Sequence, residues 1–254
     1  MGKRIDITCD MGESFGVYKL GSDEEMMPYI TSANVACGFH AGDPVWMRRT
    51  VNLAEEAGVA IGAHPSFPDL MGFGRRPMQA SLAEIQSYVI YQTGALQAFT
   101  KAKRLQHVKA HGALYNMGER DEELAGAVAE AIREVDPNLI LVGLSGSAWI
   151  KAGRQVGLRV ASEVFADRAL NADGTLVSRK QPGAVIHNVE DVVNRVSKMV
   201  AEGKIAAING EEVEIKADTI CLHGDTPGAA SLAQTLRQKL EAAGVTVVPM
   251  GTFL

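Results

Sequence analysis

The chain has 254 residues, of which 46% are hydrophobic and 22% are charged, and this fits one large globular domain, 1–254, with a single core. Its formal net charge of −5 leaves no broad basic surface for phosphates, which argues against nucleic acid as a partner, and no apolar run approaches the ~20 residues that span a membrane. The amino terminus lacks the apolar core of a signal peptide and the three cysteines form no C-x-x-C pair, so we expect a cytoplasmic protein with reduced thiols.

Strand and helix signals alternate about seven times along the chain. The predicted strands are 5–10, 32–37, 59–63, 107–111, 139–144, 159–165 and 219–222. Helix starts are marked by Asp43 before Pro44 and by Ser81 with Glu84, and Gly58 marks a helix end. The predicted helices begin at 22, 43, 81, 121, 147, 189 and 226, and those from 81, 147, 189 and 226 end near 103, 155, 201 and 244.

Two smaller features complete the chain. The runs 205–208 and 213–215 flank Asn209-Gly210, which predicts a hairpin with a type I′ turn. Segment 176–186 is predicted to be irregular or to form a small ribbon, and 246–248 is predicted as a final short strand.

This alternation is typical of a closed (β/α) barrel or of an open doubly wound sheet. Both folds bind ligands at the carboxyl ends of their strands. An open sheet gathers side chains from two or three strands, whereas here ionisable residues follow six of the seven, which favours a closed barrel. These residues are Asp10 and Glu13, His40, His64, Lys109 and His111, Glu163 and Asp167, and His223 and Asp225.

The fourth predicted strand carries the strongest signal. Its residues His107, Lys109 and His111 share one face because side chains alternate along a strand. A solvent-exposed strand at an antiparallel edge would show this pattern, and so would a barrel strand that lines a catalytic cavity. Burying many ionisable groups together is costly unless they are paired, hydrated or metal-bound. Their number therefore predicts a functional site.

Other candidates lie outside that strand. Arg75 and Arg76 are in the long loop 65–80, where they could clamp an anion or form a solvated pair. Asn34, on the second strand and in phase with His40, is a candidate for hydrogen bonding to substrate. The chain has neither a G-x-x-x-x-G-K-[ST] phosphate loop nor a G-x-G-x-x-G turn, so it carries no familiar ATP site.

Six segments in these regions closely resemble the LamB/YcsF family. They are D-I-T-C-D-M-G-E-S-F-G, N-V-A-C-G-F-H-A-G-D-P, I-G-A-H-P-S-F-P-D-L-M-G-F-G-R-R, V-K-A-H-G-A-L-Y, E-V-F-A-D-R and L-H-G-D-T-P-G-A. The resemblance implies a distorted (β/α)7 TIM-like barrel of the glycoside hydrolase/deacetylase kind. It also implies the A-subunit role in ATP-dependent 5-oxoprolinase, which opens the lactam 5-oxo-L-proline (pyroglutamate) to L-glutamate. Separate B and C subunits are then expected, with the ATP site on or shared with them.

These expectations assign roles to the candidates. The catalytic candidates are Asp10, His64, Lys109, His111, Glu163 and His223, and the substrate-binding candidates are Glu13, Asn34, His40, Arg75, Arg76, Asp167 and Asp225. A carboxylate or imidazole would activate water, and Lys109 would stabilise the oxyanion. Deacetylase-like barrels often hold a metal on an Asp-His-His set, for which Asp10, His40 and His64 are candidates, with zinc suited to them. The alternatives are a stand-alone metal-dependent carbohydrate deacetylase or amidohydrolase, and a non-catalytic binding subunit.

Overall fold

Seven parallel strands close into a barrel in the computed structural model, which describes residues 2–178, 180–186, 188–222, 224 and 228–254. The strands are β1 (Arg4–Met11), β2 (Ser32–Ala36), β3 (Ala60–His64), β4 (His107–Lys109), β5 (Ile140–Leu144), β6 (Arg159–Phe165), β7 (Lys204–Ala206), β8 (Glu212–Glu214), β9 (Thr219–Leu222) and β10 (Thr246–Val247). The ring order is β1-β2-β3-β4-β5-β6-β9, and β9 pairs back onto β1 with Ile220 opposite Ile7. The predicted barrel is confirmed, and the open sheet is excluded.

Helices cover the outside of the barrel. They are α1 (Asp23–Met26), α2 (Pro44–Ala57), α3 (Leu82–Phe99), α4 (Gly112–Gly118), α5 (Glu122–Val135), α6 (Ala148–Gln155), α7 (Val189–Glu202) and α8 (Ala229–Ala242). The predicted caps of α2 and α3 are confirmed, since the Asp43 side chain accepts from two backbone N–H groups and Ser81 forms a capping box with Glu84. The predicted start of the last helix, at Thr226 and Pro227, lies outside the described residues, and α8 is described from Ala229.

Helix α4 is absent from the sequence prediction, which extends a strand to residue 111 instead. The strand ends at Lys109 because His111 becomes the residue that caps α4. Glycines at both ends of α4 lower its intrinsic helix propensity, so the local pattern gives no helix signal. The burial of Leu114 and Tyr115 stabilises the helix in the folded protein.

The hairpin of β7 and β8 is confirmed, but its turn is not of type I′. A type I′ turn needs positive φ at both central residues, and of the pair Asn209-Gly210 only the glycine has it, at 88°. The Gly210 N–H donates to the Ala207 carbonyl, so the turn is centred one residue earlier and the glycine follows it in the left-handed region.

Side chains of β1 alternate between two environments. Ile5, Ile7 and Cys9 belong to the apolar core between the barrel and its helices. Asp6 and Asp10 point into the barrel, where they contact polar side chains of neighbouring strands. The inward face of β1 is therefore polar, and the carboxyl end of the barrel carries the site. Among the described helices, none is long and apolar enough to cross a membrane.

Candidate active site

A cavity of about 790 Å³ opens at the carboxyl ends of the barrel strands. Asp10, His64, Lys109 and His111 line it at the strand ends. One face of α4 and the residue after it form another wall, and the segment that follows β6 forms a third. These two walls consist of Gly112, Tyr115, Asn116 and Glu119, and of Arg168, Asn171, Thr175, Leu176, Val177, Ser178, Lys180 and Gln181.

Three imidazoles and one carboxylate converge beside this cavity. The rings of His40 and His111 stack with centroids 3.7 Å apart, and His64 lies edge-on to both. The Nδ1 atom of His111 lies 2.9 Å from the Nε2 atom of His64. Glu13 Oε1 lies 3.3 Å from His40 Nε2 and 3.7 Å from His111 Nδ1. We call these four residues the histidine cluster.

The outward nitrogen of each ring has a partner that fixes the tautomer. Nδ1 of His64 donates to the Lys109 carbonyl at 2.8 Å, and Nε2 of His111 donates to the Phe73 carbonyl at 2.9 Å. Nδ1 of His40 lies 3.1 Å from the Ser66 hydroxyl, which itself donates to the Phe67 carbonyl. Each of the three outward nitrogens therefore carries a ring proton.

The inward nitrogens of His40 and His111 carry no proton. Burial and the neighbouring histidines hold the pKa of His40 and of His111 well below the ordinary value, so both rings are neutral at physiological pH. Because the Nε2 atom of His64 lies only 2.9 Å from the unprotonated Nδ1 atom of His111, a proton or a cation must lie between these two nitrogens. The cluster is thus arranged to receive a positive species.

A divalent metal ion fits this donor set. One ligand atom from each of Glu13, His40, His64 and His111 can be chosen so that all lie within 4.8 Å of one another. Tetrahedral zinc with bonds of about 2.0–2.2 Å separates its ligand atoms by roughly 3.3 Å, close to the separations described above. Hydrogen bonds from the outer ring nitrogens are the usual support of metal-binding histidines.

The predicted metal set, Asp10, His40 and His64, overlaps this cluster only in its histidines. Asp10 Oδ2 lies 3.3 Å from His64 Nε2, so the carboxylate borders the cluster. Its Oδ1 atom instead accepts from Lys109 Nζ at 3.0 Å. In the described residues, the carboxylate of the histidine cluster is Glu13.

Lys109 is the centre of a row of charges beside the cluster. Its ammonium lies 3.0 Å from Asp10 Oδ1 and 2.9 Å from Glu163 Oε1, and Glu163 Oε2 accepts from the Tyr115 hydroxyl at 2.7 Å. Burial opposes both charges of the first pair. The two carboxylates nevertheless hold the pKa of Lys109 well above its usual value, and His64 and Lys109 hold that of Asp10 well below. Lys109 is therefore a fixed cation and Asp10 a fixed anion.

Asn34 lies beneath Asp10 and does not line the cavity. Its Nδ2 atom donates to Asp10 Oδ1 at 2.8 Å, and its Oδ1 atom accepts from His107 Nε2 at 2.7 Å. Gly62 makes room for this ring, because a Cβ atom there would lie 2.1 Å from His107 Nε2. Asn34 and His107 thus hold the Asp10 carboxylate in place.

The loop after β3 packs onto the histidine cluster. Gly74 has φ of 63° and its carbonyl accepts from Ala113 N–H, and a Cβ atom at Gly74 would meet both His40 and His111 within 3 Å. Asp69 organises the loop by accepting from Gly72 N–H and the Arg76 guanidinium. This loop is therefore an ordered wall of the site.

The remaining predicted residues divide into three groups. Arg75 lines the cavity, and its guanidinium lies over the Phe73 ring. Arg76 is paired with Asp69 and is largely exposed, and Asp167 is buried after β6 without lining the cavity. The predicted catalytic residue His223 and substrate-binding residue Asp225 lie outside the described residues.

Sequence reasoning missed the cavity residues on the α4 side, among them Tyr115 and Glu119. Tyr115 reads as a packing residue, yet its hydroxyl binds Glu163 inside the cavity wall. Glu119 follows four residues later, at the spacing that puts side chains on one helix face. Recognition of α4 would have revealed both, but its glycines hide it.

The fold and site together define a seven-stranded (β/α) barrel with a carbohydrate esterase-like fold and a histidine–carboxylate cluster at its carboxyl end. The model of the LamB/YcsF family matches residues 5–254, so the chain belongs to this family. A relative from Thermococcus onnurineus, which is named as the A subunit of 5-oxoprolinase, is 58% identical over 253 residues, covering 99% of each chain.

Solved structures agree with this placement. The crystal structure of a lactam utilization protein from Thermus thermophilus is 47% identical, with a TM-score of 0.91 over 96% of this chain and 99% of that one. A family 4 carbohydrate esterase from Streptomyces lividans is 12% identical, with a TM-score of 0.52 over 96% and 91% of the two chains. The second likeness concerns the fold alone.

Proposed function

We propose that this chain is the A subunit of an ATP-dependent 5-oxoprolinase and opens the lactam ring of 5-oxo-L-proline to give L-glutamate. The names of the LamB/YcsF relatives support this substrate. The observation that carries the proposal is the convergence on one cavity of an ionised carboxylate, a fixed ammonium and the buried imidazoles of His64 and His111, with the His40 ring stacked on that of His111. Lactam hydrolysis needs an activated water and a stabilised oxyanion, and these groups supply both.

Asp10 is the proposed general base. It is ionised, it borders the cavity, and it is held from below by Asn34 and from the side by Lys109. It accepts a proton from the water that adds to the lactam carbonyl carbon. A carboxylate held by such fixed partners keeps the geometry that proton transfer requires.

Lys109 supplies the positive charge that stabilises the oxyanion. Its partners Asp10 and Glu163 fix its position, and Tyr115 in turn fixes Glu163. In a partly water-excluded cavity such a preorganised charge acts more strongly than in bulk water. Arg75 also lines the cavity, and we assign to it the pairing with the substrate carboxylate.

Glu13, His40, His64 and His111 would hold a divalent cation at the edge of the cavity. When bound, such an ion supplies Lewis-acid polarisation of a carbonyl and lowers the pKa of a coordinated water. Metal analysis of protein purified without chelator should give one equivalent of ion, and this ion should raise the melting temperature of the protein. The double variant Glu13→Gln/His40→Ala should lose both the ion and this rise. Absence of a stoichiometric ion in the unaltered protein would remove the metal from the proposal.

ATP and two further subunits complete the proposed enzyme. Opening an unstrained lactam is coupled to ATP hydrolysis, and since the sequence has no familiar nucleotide motif we place that site on the B and C subunits or shared with them. The cavity volume of about 790 Å³ exceeds what a five-membered lactam needs, which leaves room for a phosphorylated form delivered by those subunits. We place the reaction in the cytoplasm, where the buried thiols of Cys9, Cys37 and Cys221 stay reduced.

The test is glutamate release from 5-oxo-L-proline plus ATP, measured with this chain alone, with the B and C subunits alone, and with all three. Activity only in the full mixture supports the proposal. No release in any mixture, with all three proteins folded, would contradict it. Unchanged rate constants after changes at the cavity, with altered assembly, would instead indicate a non-catalytic binding subunit.

A second candidate function is a metal-dependent carbohydrate deacetylase or amidohydrolase that acts without ATP. The histidine cluster is the observation that favours it, because imidazole nitrogens and a carboxylate oxygen are ligand types that catalytic zinc uses. This alternative predicts acetate release from N-acetylated sugars by the isolated chain. Acetate release that stops on chelation, with no glutamate release in the mixture, would put it first.

A further inference from the structure

The α4 side of the cavity contains a carboxyl group that the proposed mechanism does not yet use. Glu119 directly follows α4, lines the cavity and is only 8% exposed. Its Oε1 atom is buried and has no hydrogen-bond partner among the described residues. Leaving a buried polar atom unpaired is energetically unfavourable, and such atoms are normally satisfied by a ligand or by water.

The surroundings of Glu119 keep a proton on this carboxyl. Burial raises its pKa to about 7, which outweighs the opposing effect of Arg168 and Arg120. Glu163 and Asp173 add further negative charge and raise the pKa as well. Tyr115, one turn earlier on α4, is a neutral phenol that donates to Glu163. At neutral pH a large fraction of Glu119 is therefore protonated.

Lactam opening requires two proton transfers, one from the attacking water and one to the ring nitrogen. The ring nitrogen is a poor leaving group unless it is protonated as the carbon–nitrogen bond breaks. The other proton-bearing side chains among the described residues at the strand ends already use their protons in ion pairs or hydrogen bonds. Lys109 is held as an ammonium by Asp10 and Glu163, and the ring protons of His64 and His111 are donated to backbone carbonyls.

We propose that Glu119 is the general acid that protonates the ring nitrogen of the substrate. This inference rests on the proposed function, the opening of the 5-oxo-L-proline lactam. Water adds to the carbonyl carbon and gives its proton to Asp10. The electron pair of the carbon–nitrogen bond moves to nitrogen, which takes the proton from Glu119. The released amine takes the proton held by Asp10 and becomes the ammonium of glutamate, and Glu119 regains, through solvent, the proton that the new carboxyl group loses.

The experiment compares Glu119→Gln with the unaltered chain in the full mixture of subunits. The exposed Glu123→Gln on α5 is the matched control and should retain unaltered rates. Two substrates are used: 5-oxo-L-proline and its thiolactone, which has sulfur in place of the ring nitrogen. A thiolate leaves without a proton, so a general acid matters for the lactam and hardly for the thiolactone.

The expected result is a 10²–10³-fold lower kcat of Glu119→Gln for the lactam and less than a fivefold loss for the thiolactone. Retained thiolactone turnover also shows that the variant is folded. The kcat of the unaltered enzyme should fall as pH rises above about 7, because Glu119 loses its proton there, and this decline should vanish in Glu119→Gln.

Three outcomes would overturn the assignment. Lactam turnover by Glu119→Gln within threefold of the unaltered chain would exclude an acid role. Equal losses on both substrates would indicate a structural role, as would an unchanged basic limb of the pH profile. If the unaltered mixture releases no glutamate, the proposed function itself fails, and the Glu119 role fails with it.

Discussion

Asp6 and Asp10 lie on the same inward face of β1, four residues apart, and their carboxyl groups behave in opposite ways. Asp6, at the amino end of the barrel, accepts hydrogen bonds from the hydroxyls of Thr31, Ser32 and Thr219. Burial raises its pKa to about 6 despite these three donors. Asp10, at the carboxyl end, has Lys109 and His64 beside it, and its pKa is well below normal.

This contrast shows which partners can keep a buried carboxylate ionised. Neutral hydroxyl donors recover only part of the hydration energy that burial removes, whereas an adjacent cation compensates fully. The amino end of the barrel therefore holds a structural carboxyl that is readily protonated. The carboxyl end holds a permanent charge pair of the kind that catalysis uses.

Paired substitution of the two aspartates tests the contrast most directly. Asp10→Asn should lower kcat of the complete mixture by 10²–10⁴-fold, because it removes the proposed base. Asp6→Asn keeps a similar shape at the opposite end of the barrel and should leave kcat within twofold. Equal losses in the two variants would show that activity depends on the barrel interior as a whole.

Removing the cation should break the charge pair and destabilise the fold. Lys109→Met leaves Asp10 and Glu163 close together and uncompensated, with an expected cost of about 3–5 kcal/mol in the free energy of unfolding. Lys151→Met is the control, because its ion pair with Glu122 is largely exposed and should be worth less than about 1 kcal/mol. Urea unfolding of both variants measures this, and a similar cost for the two would contradict the role given to Lys109.

The Asp6 carboxyl should make stability depend on pH. Its folded pKa, about 6, is raised above the ordinary 3.8, so its contribution is complete below about pH 4 and is lost as pH rises through 6. The loss amounts to about 3 kcal/mol, from roughly two pKa units at 1.36 kcal/mol each. Asp6→Asn should abolish this change, so the stability of the variant relative to the unaltered chain should increase between pH 4 and pH 7. A constant difference over that range would refute the assignment.

The smallest expected effect on stability comes from a substitution in the middle of the barrel, beside the His107 ring. Gly62→Ala places a Cβ atom against the His107 ring and should cost about 1–3 kcal/mol through overpacking. Gly126→Ala, in α5 with open space around it, should instead stabilise the protein by up to about 1 kcal/mol. Thermal unfolding distinguishes the two signs, and stabilisation by Gly62→Ala would show that His107 is not held as described.

Much of the fold was accessible from local patterns. Alternating strand and helix signals predicted the barrel, and the caps at Asp43 and Ser81 lie where the sequence places them. The predictions for the α4 segment and for the turn at Gly210 were wrong for local reasons. Terminal glycines obscured the helix, and the pair Asn209-Gly210 is compatible with more than one turn type.

The sequence alone determines that ionisable residues gather at the carboxyl ends of the strands. Strand periodicity and parallel topology suffice to place Asp10, His64 and Lys109 there. Their partners follow from the three-dimensional packing alone. Barrel closure and the loop after β3 bring Glu13 and His111 to the histidine cluster, bury Asn34 beneath Asp10, and turn Arg76 away to Asp69. Contacts between residues far apart in sequence depend on strand register and loop packing, which no local pattern encodes.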